Sequence, residues 1–186
     1  MLEINDLETS KTFFGGFAKV LNAMRTCRKI VVVRVQGKTT GGGVGIACAA
    51  DYCFATENAS LALTEINLGI GPFVIGPYVE RKIGKSQFTA MAIDADFRSA
   101  NWAEQHNIYH SVSPTIAEMD SEITRFLEKL ASRSSDALAL IKKVSWEGTE
   151  HFTELSPERI HMSASLILED TAKKNIEKIK ENLRAK

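Results

Sequence analysis

A chain of 186 residues has the length of one domain, or of one domain with a small appendage. Hydrophobic residues are 44% and charged residues 25%, ordinary globular values, so a core can form without disulfide or metal staples. Lys plus Arg number 23 and Asp plus Glu 23; zero net charge without a basic block argues against a nucleic-acid partner and against an electrostatic membrane anchor. No apolar run is long enough to span a bilayer. Residues 1–6 are acidic and do not read as a signal peptide. The cysteines Cys27, Cys48 and Cys53 cannot pair fully, which points to a reducing cytoplasm.

The periodicity predicts a first helix over 12–27, with Phe13, Phe17, Val20, Leu21 and Met24 on one side. The β-branched run 30–33, continued by Val35, reads as a strand buried on both faces. A glycine-rich loop, 37–45, follows it and leads into a helix over 46–50. Residues 52–55 and 61–63 read as short strands, and Tyr109-His110 as the start of another. Strand, glycine loop, helix, strand implies a parallel α/β arrangement. Beyond 113 the chain turns helical. Thr115 and Glu118 form a capping box ahead of Ile116, Met119, Ile123, Phe126, Leu127 and Leu130. A second helix is expected over 136–146. Ser156-Pro157-Glu158 reads as the start of a third, with Ile160, Ile167 and Leu168 as its stripe. Ile176, Ile179 and Leu183 mark the last. The expected organisation is an α/β core over 1–113 and a helical extension over 114–186.

The glycine loop carries the strongest signal. A P-loop would need glycine five residues before Gly37, where Val32 stands. A dinucleotide fingerprint starting at Gly41 or Gly43 would need glycine at Ile46 or Cys48. Both readings fail. What remains is a strand feeding Gly41-Gly42-Gly43 at a helix start, where free N–H groups and the helix dipole can bind an oxyanion. The alternative is a tight turn that needs positive φ. Further on, Glu65 is an isolated carboxylate in the apolar, glycine-rich stretch 63–73. A desolvated glutamate has a raised pKa and can move protons near neutrality; the alternative is a surface glutamate at a strand end. Leu63, Ile66 and Leu68 are expected to wall it in.

Other candidates are weaker. His106 and His110 could share a helix face as metal ligands, but no third ligand accompanies them, so no metal is expected. Asp94 and Asp96 read as a solvated turn, and Cys48 and Cys53 as packed small residues. Lys178 and Lys180 read as a solvated helix face with the option of meeting anionic groups.

Taken together, residues 31–84 resemble the enoyl-CoA hydratase/isomerase (crotonase) superfamily. The matching features are the apolar strand, Gly41-Gly42-Gly43, Cys48-Ala49-Ala50-Asp51-Tyr52, then Glu65, Leu68-Gly69-Ile70 and Pro72. Residues 79–85 look like the family's next helix and its Ile-Gly-Lys turn. Ser99-Ala100 with Ala103-Glu104 looks like a further family helix, and the last helices look like the trimerisation tail. The resemblance implies a ββα spiral core with a C-terminal helical trimerisation extension, and a homo-trimer or hexamer. It implies an acyl-CoA thioester as substrate, with coenzyme A as part of that substrate and no separate cofactor. Gly42 N–H would be an oxyanion donor and Glu65 the proton carrier, with Gly41, Gly43, Gly45, Gly69 and Pro72 shaping the acyl site and Lys180 facing the CoA phosphates.

Two departures refine this. Hydratases place their first glutamate where this chain has Gly45, so Glu65 stands alone, as in Δ3,Δ2-enoyl-CoA isomerases. Dienoyl-CoA isomerases would need an acid near Phe73. The family fold also has strands and a second oxyanion loop ahead of the position of Met1. The implied function is double-bond isomerisation of an enoyl-CoA. The alternatives are hydration or decarboxylation of a branched acyl-CoA and, in another class, a non-catalytic acyl-CoA-binding or structural subunit.

Overall fold

The computed structural model describes residues 6–184. Helix α1 spans Leu7–Thr26, starting earlier than the apolar pattern suggests because Asp6 caps it; its Oδ1 accepts the Thr9 N–H at 2.8 Å. Strand β1 (Val32–Val35) is shorter and less buried than expected. Arg34 points outward and pairs with Asp120 at 2.6 Å. The chain turns at Gln36-Gly37 into β2 (Lys38–Thr40), which belongs to a second sheet.

Helix α2 (Gly42–Ala49) starts at the middle glycine itself, four residues ahead of the expected start at Ile46. Strands β3 (Tyr52–Thr56) and β4 (Ser60–Ala62) follow, and then a single 3-10 turn over Glu65–Leu68. Helix α3 (Gly76–Asp94) is broken at Gly84, whose φ of 75° suits glycine. Strand β5 (Arg98–Ser99), α4 (Ala100–Gln105) and β6 (Ser111–Ser113) complete the α/β part. One sheet runs β1-β3-β6, all parallel, with Val32 opposite Tyr52 and Phe54 opposite Ser111. The other runs β2-β4-β5; Thr40 lies opposite Ala62 in parallel, and β5 is antiparallel. Helices α2 and α3 cover the sheets and bury Val44, Cys48, Cys53, Leu61, Leu63, Val79 and Met91. Burying each large aliphatic side chain contributes about 1.5–3 kcal/mol.

The last third forms α5 (Ile116–Ala131), α6 (Ser135–Ser145), α7 (His151–Leu166) and α8 (Asp170–Arg184). The Thr115–Glu118 capping box opens α5 as expected. The expected helix start at Pro157 is corrected: Pro157 lies inside α7, which begins at His151. A proline in that position removes one helical hydrogen bond. The helix persists because tertiary packing holds it along α1, where Arg25 donates to Thr149 and Thr153 at 3.3 and 3.0 Å. Helix α6 is fixed by a buried ion pair. Lys142, 3% exposed, lies 2.7 Å from Asp51 Oδ2 and also donates to the Met24 and Lys29 carbonyls. The other Asp51 oxygen accepts the Trp146 indole N–H. Among the described residues, no helix is long and apolar enough to cross a membrane.

Candidate active site

Gly41 ends β2 with φ +49°, and its N–H still donates to Ala62 O at 3.1 Å. The chain then enters α2 with the Gly42 N–H at the helix N-terminus, where backbone donors lack intrahelical acceptors and the dipole is positive. Val44 and Gly45 turn their N–H groups back onto Gly41 O; among the described residues the Gly42 N–H has no backbone partner.

The glycines differ in what they permit. A Cβ at Gly41 would stand 3.0 Å from Glu65 Oε1, so the carboxylate lies against this backbone. A Cβ at Gly42 would meet the Phe17 ring at 2.7 Å, and one at Gly43 would meet Thr39 at 2.9 Å. At Gly45 it would fall 2.5 Å from Ile75 Cγ2. The Gly45 position is filled by the neighbouring wall.

Glu65 is carried by the 3-10 turn. That turn is closed by Gly69 N–H on Ile66 O, and by Ile70 N–H on Glu65 O. Gly69 reverses the chain with φ 81° and packs on Ala172 of α8. Burial pushes the Glu65 carboxyl above its ordinary value. Its Oε2 is buried and has no hydrogen-bond partner among the described residues. An orphaned carboxylate oxygen of this kind is costly unless something binds it.

Glu65, Gly41 and Gly42 share one cavity of about 340 Å³. Its walls are largely apolar: Phe13, Phe14 and Phe17 from α1, with Leu68, Ile70 and Phe73 from the segment around the 3-10 turn. Pro72 lines it too. The expected walls need correction. Leu68 contributes, but Leu63 is fully buried in the core and Ile66 is exposed. The 3-10 turn, where a strand end was expected, rotates Ile66 outward. Sequence reasoning also missed the roof: Ser163 and Ile167, at the end of α7, line the cavity, and α8 packs under the 3-10 turn.

Of the sequence candidates, Gly41, Gly42, Glu65 and Pro72 meet at the cavity. Gly43, Gly45 and Gly69 support it from behind through close packing. Lys180 is not in the lining; it pairs with Glu177 at 2.7 Å on α8. His106 and His110 do not share a helix face. His106 stacks on Trp102 just after α4 ends, and His110 stacks on Tyr52. Asp94 pairs with Arg98.

A spiral of short parallel strands, with a triple glycine opening a helix beside a buried glutamate, defines the crotonase class of fold. The sequence profile of the enoyl-CoA hydratase/isomerase family matches residues 2–185, and the chain belongs to that family. It is 29% identical over 142 residues to a mitochondrial enoyl-CoA hydratase of Pongo abelii, covering 76% of this chain and 49% of that one. It is 24% identical over 170 residues to a trans-2-decenoyl-(acyl-carrier-protein) isomerase of Streptococcus mutans, covering 90% and 64%. The chain thus spans about half to two-thirds of the length of these relatives. The crystal structure of an enoyl-CoA hydratase from Mycobacterium avium superposes with a TM-score of 0.86 at 21% identity, over 95% of this chain and 69% of that one. This last likeness establishes the fold.

Proposed function

We propose that the chain acts on an enoyl-CoA thioester and shifts its double bond, with Glu65 as the only proton carrier. The thioester carbonyl oxygen sits at the Gly42 N–H, where enolate charge develops. A well-placed donor of this kind contributes about 3–4 kcal/mol to transition-state binding. Glu65, ionised, takes the proton from the carbon next to the carbonyl. The dienolate that forms is reprotonated two carbons further along the chain by the same carboxyl group. No proton is gained or lost overall.

The observation that carries this reading is the unpartnered Glu65 Oε2 at an apolar cavity it shares with Gly42. The single-base form is supported by Gly45, because a side chain there would collide with Ile75. Hydration or decarboxylation is the second reading, and the mitochondrial hydratase relative favours its hydration form. The test is product analysis with a 3-enoyl-CoA and a 2-enoyl-CoA. The proposal expects interconversion of the two without a 3-hydroxyacyl product. Water addition would favour the second reading. Saturable binding with neither reaction would make the chain an acyl-CoA-binding subunit.

We further propose that the working form is a trimer or a hexamer in the cytoplasm. Support comes from Leu140 and Val144 of α6, which stand 62% and 61% exposed, and from three free cysteines.

A further inference from the structure

A second cavity, of about 390 Å³, opens between α3, α5 and α6, and two lysines line it, Lys82 and Lys142. Their surroundings are opposite. Lys142 Nζ is bonded by the Met24 and Lys29 carbonyls and by Asp51, so all three protons of an ammonium have acceptors. Lys82 is half-buried and has no carboxylate or carbonyl partner among the described residues. Among the described residues, its one neighbour within hydrogen-bond distance is His110 Nε2, at 3.4 Å.

The His110 ring decides what that neighbour can be. The Cys53 backbone N–H donates to His110 Nδ1 at 3.0 Å. Nδ1 is therefore the unprotonated nitrogen, and the ring proton of the neutral imidazole sits on Nε2. An N–H at Nε2 cannot accept from an ammonium. It can donate to the lone pair of an amine. The contact therefore suits a Lys82 that carries that lone pair, and it offers an ammonium there no acceptor.

We propose that Lys82 is an uncharged, nucleophilic amine that takes up acyl groups from thioesters at this cavity. Its surroundings agree. Burial pushes the amine below its ordinary range, and Arg81 beside it adds to the effect. Cys48 of α2 and Cys53 of β3 face it, but burial pushes both thiols up to about 12, so neither supplies a thiolate. Asp51 is engaged by Lys142 and Trp146. Burial is the main cause that pushes His110 down to about 4, so it stays a neutral imidazole. Arg133 at the rim offers charge for an anionic carrier, and Phe126, Leu130 and Ile141 offer an apolar wall for the acyl group. In the step itself, Nζ leaves the His110 N–H, its freed lone pair adds to the thioester carbonyl carbon, and the C–S bond breaks. The carrier leaves as a thiol with the proton lost from nitrogen, and the lysine becomes an amide. A desolvated lysine beside a second cation is a recognised way to make a nucleophile.

The test uses acetyl-CoA, which has no double bond to move, so its outcome is independent of the role given to Glu65. The whole chain is incubated with acetyl-CoA at about pH 7.5, and acetylation is followed by peptide mass spectrometry. Lys82 is expected to react about tenfold faster, or more, than the exposed Lys19 and Lys129, while Lys142 stays unmodified. The Lys82 rate should also level off with rising pH well before the ordinary lysine value of 10.5. A Lys82 rate no higher than those of Lys19 and Lys129, or a pH profile that keeps rising in step with theirs, would overturn the proposal.

Discussion

Glu65 is the residue on which the chemistry turns, and its burial has a consequence for stability. The carboxyl holds its proton more tightly in the folded chain than the ordinary 4.5 of the unfolded one. Its ionisation therefore costs stability. The cost is absent below pH 4.5 and grows as pH rises through the folded value. Glu65→Gln removes it. In thermal melts the Gln variant should match the wild-type chain at about pH 4 and equal or exceed it at about pH 7.5. A Gln variant that is the less stable at neutral pH would mean that the ionised carboxylate has a partner in the fold. Gly45 makes a steric prediction. Because its added Cβ would fall 2.5 Å from Ile75 Cγ2, Gly45→Ala should destabilise the chain, by about 1–3 kcal/mol for an overpacked site. Urea denaturation reads the difference, and an unchanged midpoint would show that Ile75 gives way. At this scale the site was legible in the sequence: Gly41, Gly42 and Glu65 were placed by motif, and the structure brings them to one cavity. Ile66 was not, because a 3-10 turn and a strand end look alike over four residues.

Elements, too, behaved differently according to how local their signals are. The start of α5 was readable because both halves of its cap, Thr115 and Glu118, lie within one turn. Helix α7 was misplaced because Pro157 is a strong local breaker, whereas the contacts that override it come from α1. The join between α6 and the α/β part had no local signal at all. Lys142 and Asp51 are far apart in sequence, and no local pattern links the two. Their pairing makes α6 dependent on one buried contact. Lys142→Met should cost about 3–5 kcal/mol, because it leaves the Asp51 carboxylate buried without its cation. Combining it with Asp51→Asn should recover much of that loss. Denaturation of the single and double variants checks this. Equal stabilities of Lys142→Met and the wild-type chain would mean that the Val31 and Trp146 N–H donors suffice for Asp51.

As a whole molecule, the chain wraps its helical last third back over the α/β part, so that α7 closes the same cavity that α1 and α2 open. The order of elements in the α/β part was legible, because strand, triple glycine, helix and glutamate come in a fixed sequence. The roof was not, since Ser163 and Ile167 carry no motif and reach the cavity only through packing. Leu140 and Val144 remain outside this packing. Light scattering at micromolar concentration should give a trimer or a hexamer, and a stable monomer would contradict that assembly. The central claim is that one carboxylate at the glycine-lined cavity moves the proton. Its most direct test is deuterium uptake at the carbon next to the thioester carbonyl of an enoyl-CoA, compared between the wild-type chain and Glu65→Gln. The account predicts exchange in the wild type and a fall of about 10²–10⁴-fold in the Gln variant, with CoA-ester binding retained. Equal exchange rates in the two proteins would show that another group carries the proton and would contradict the account.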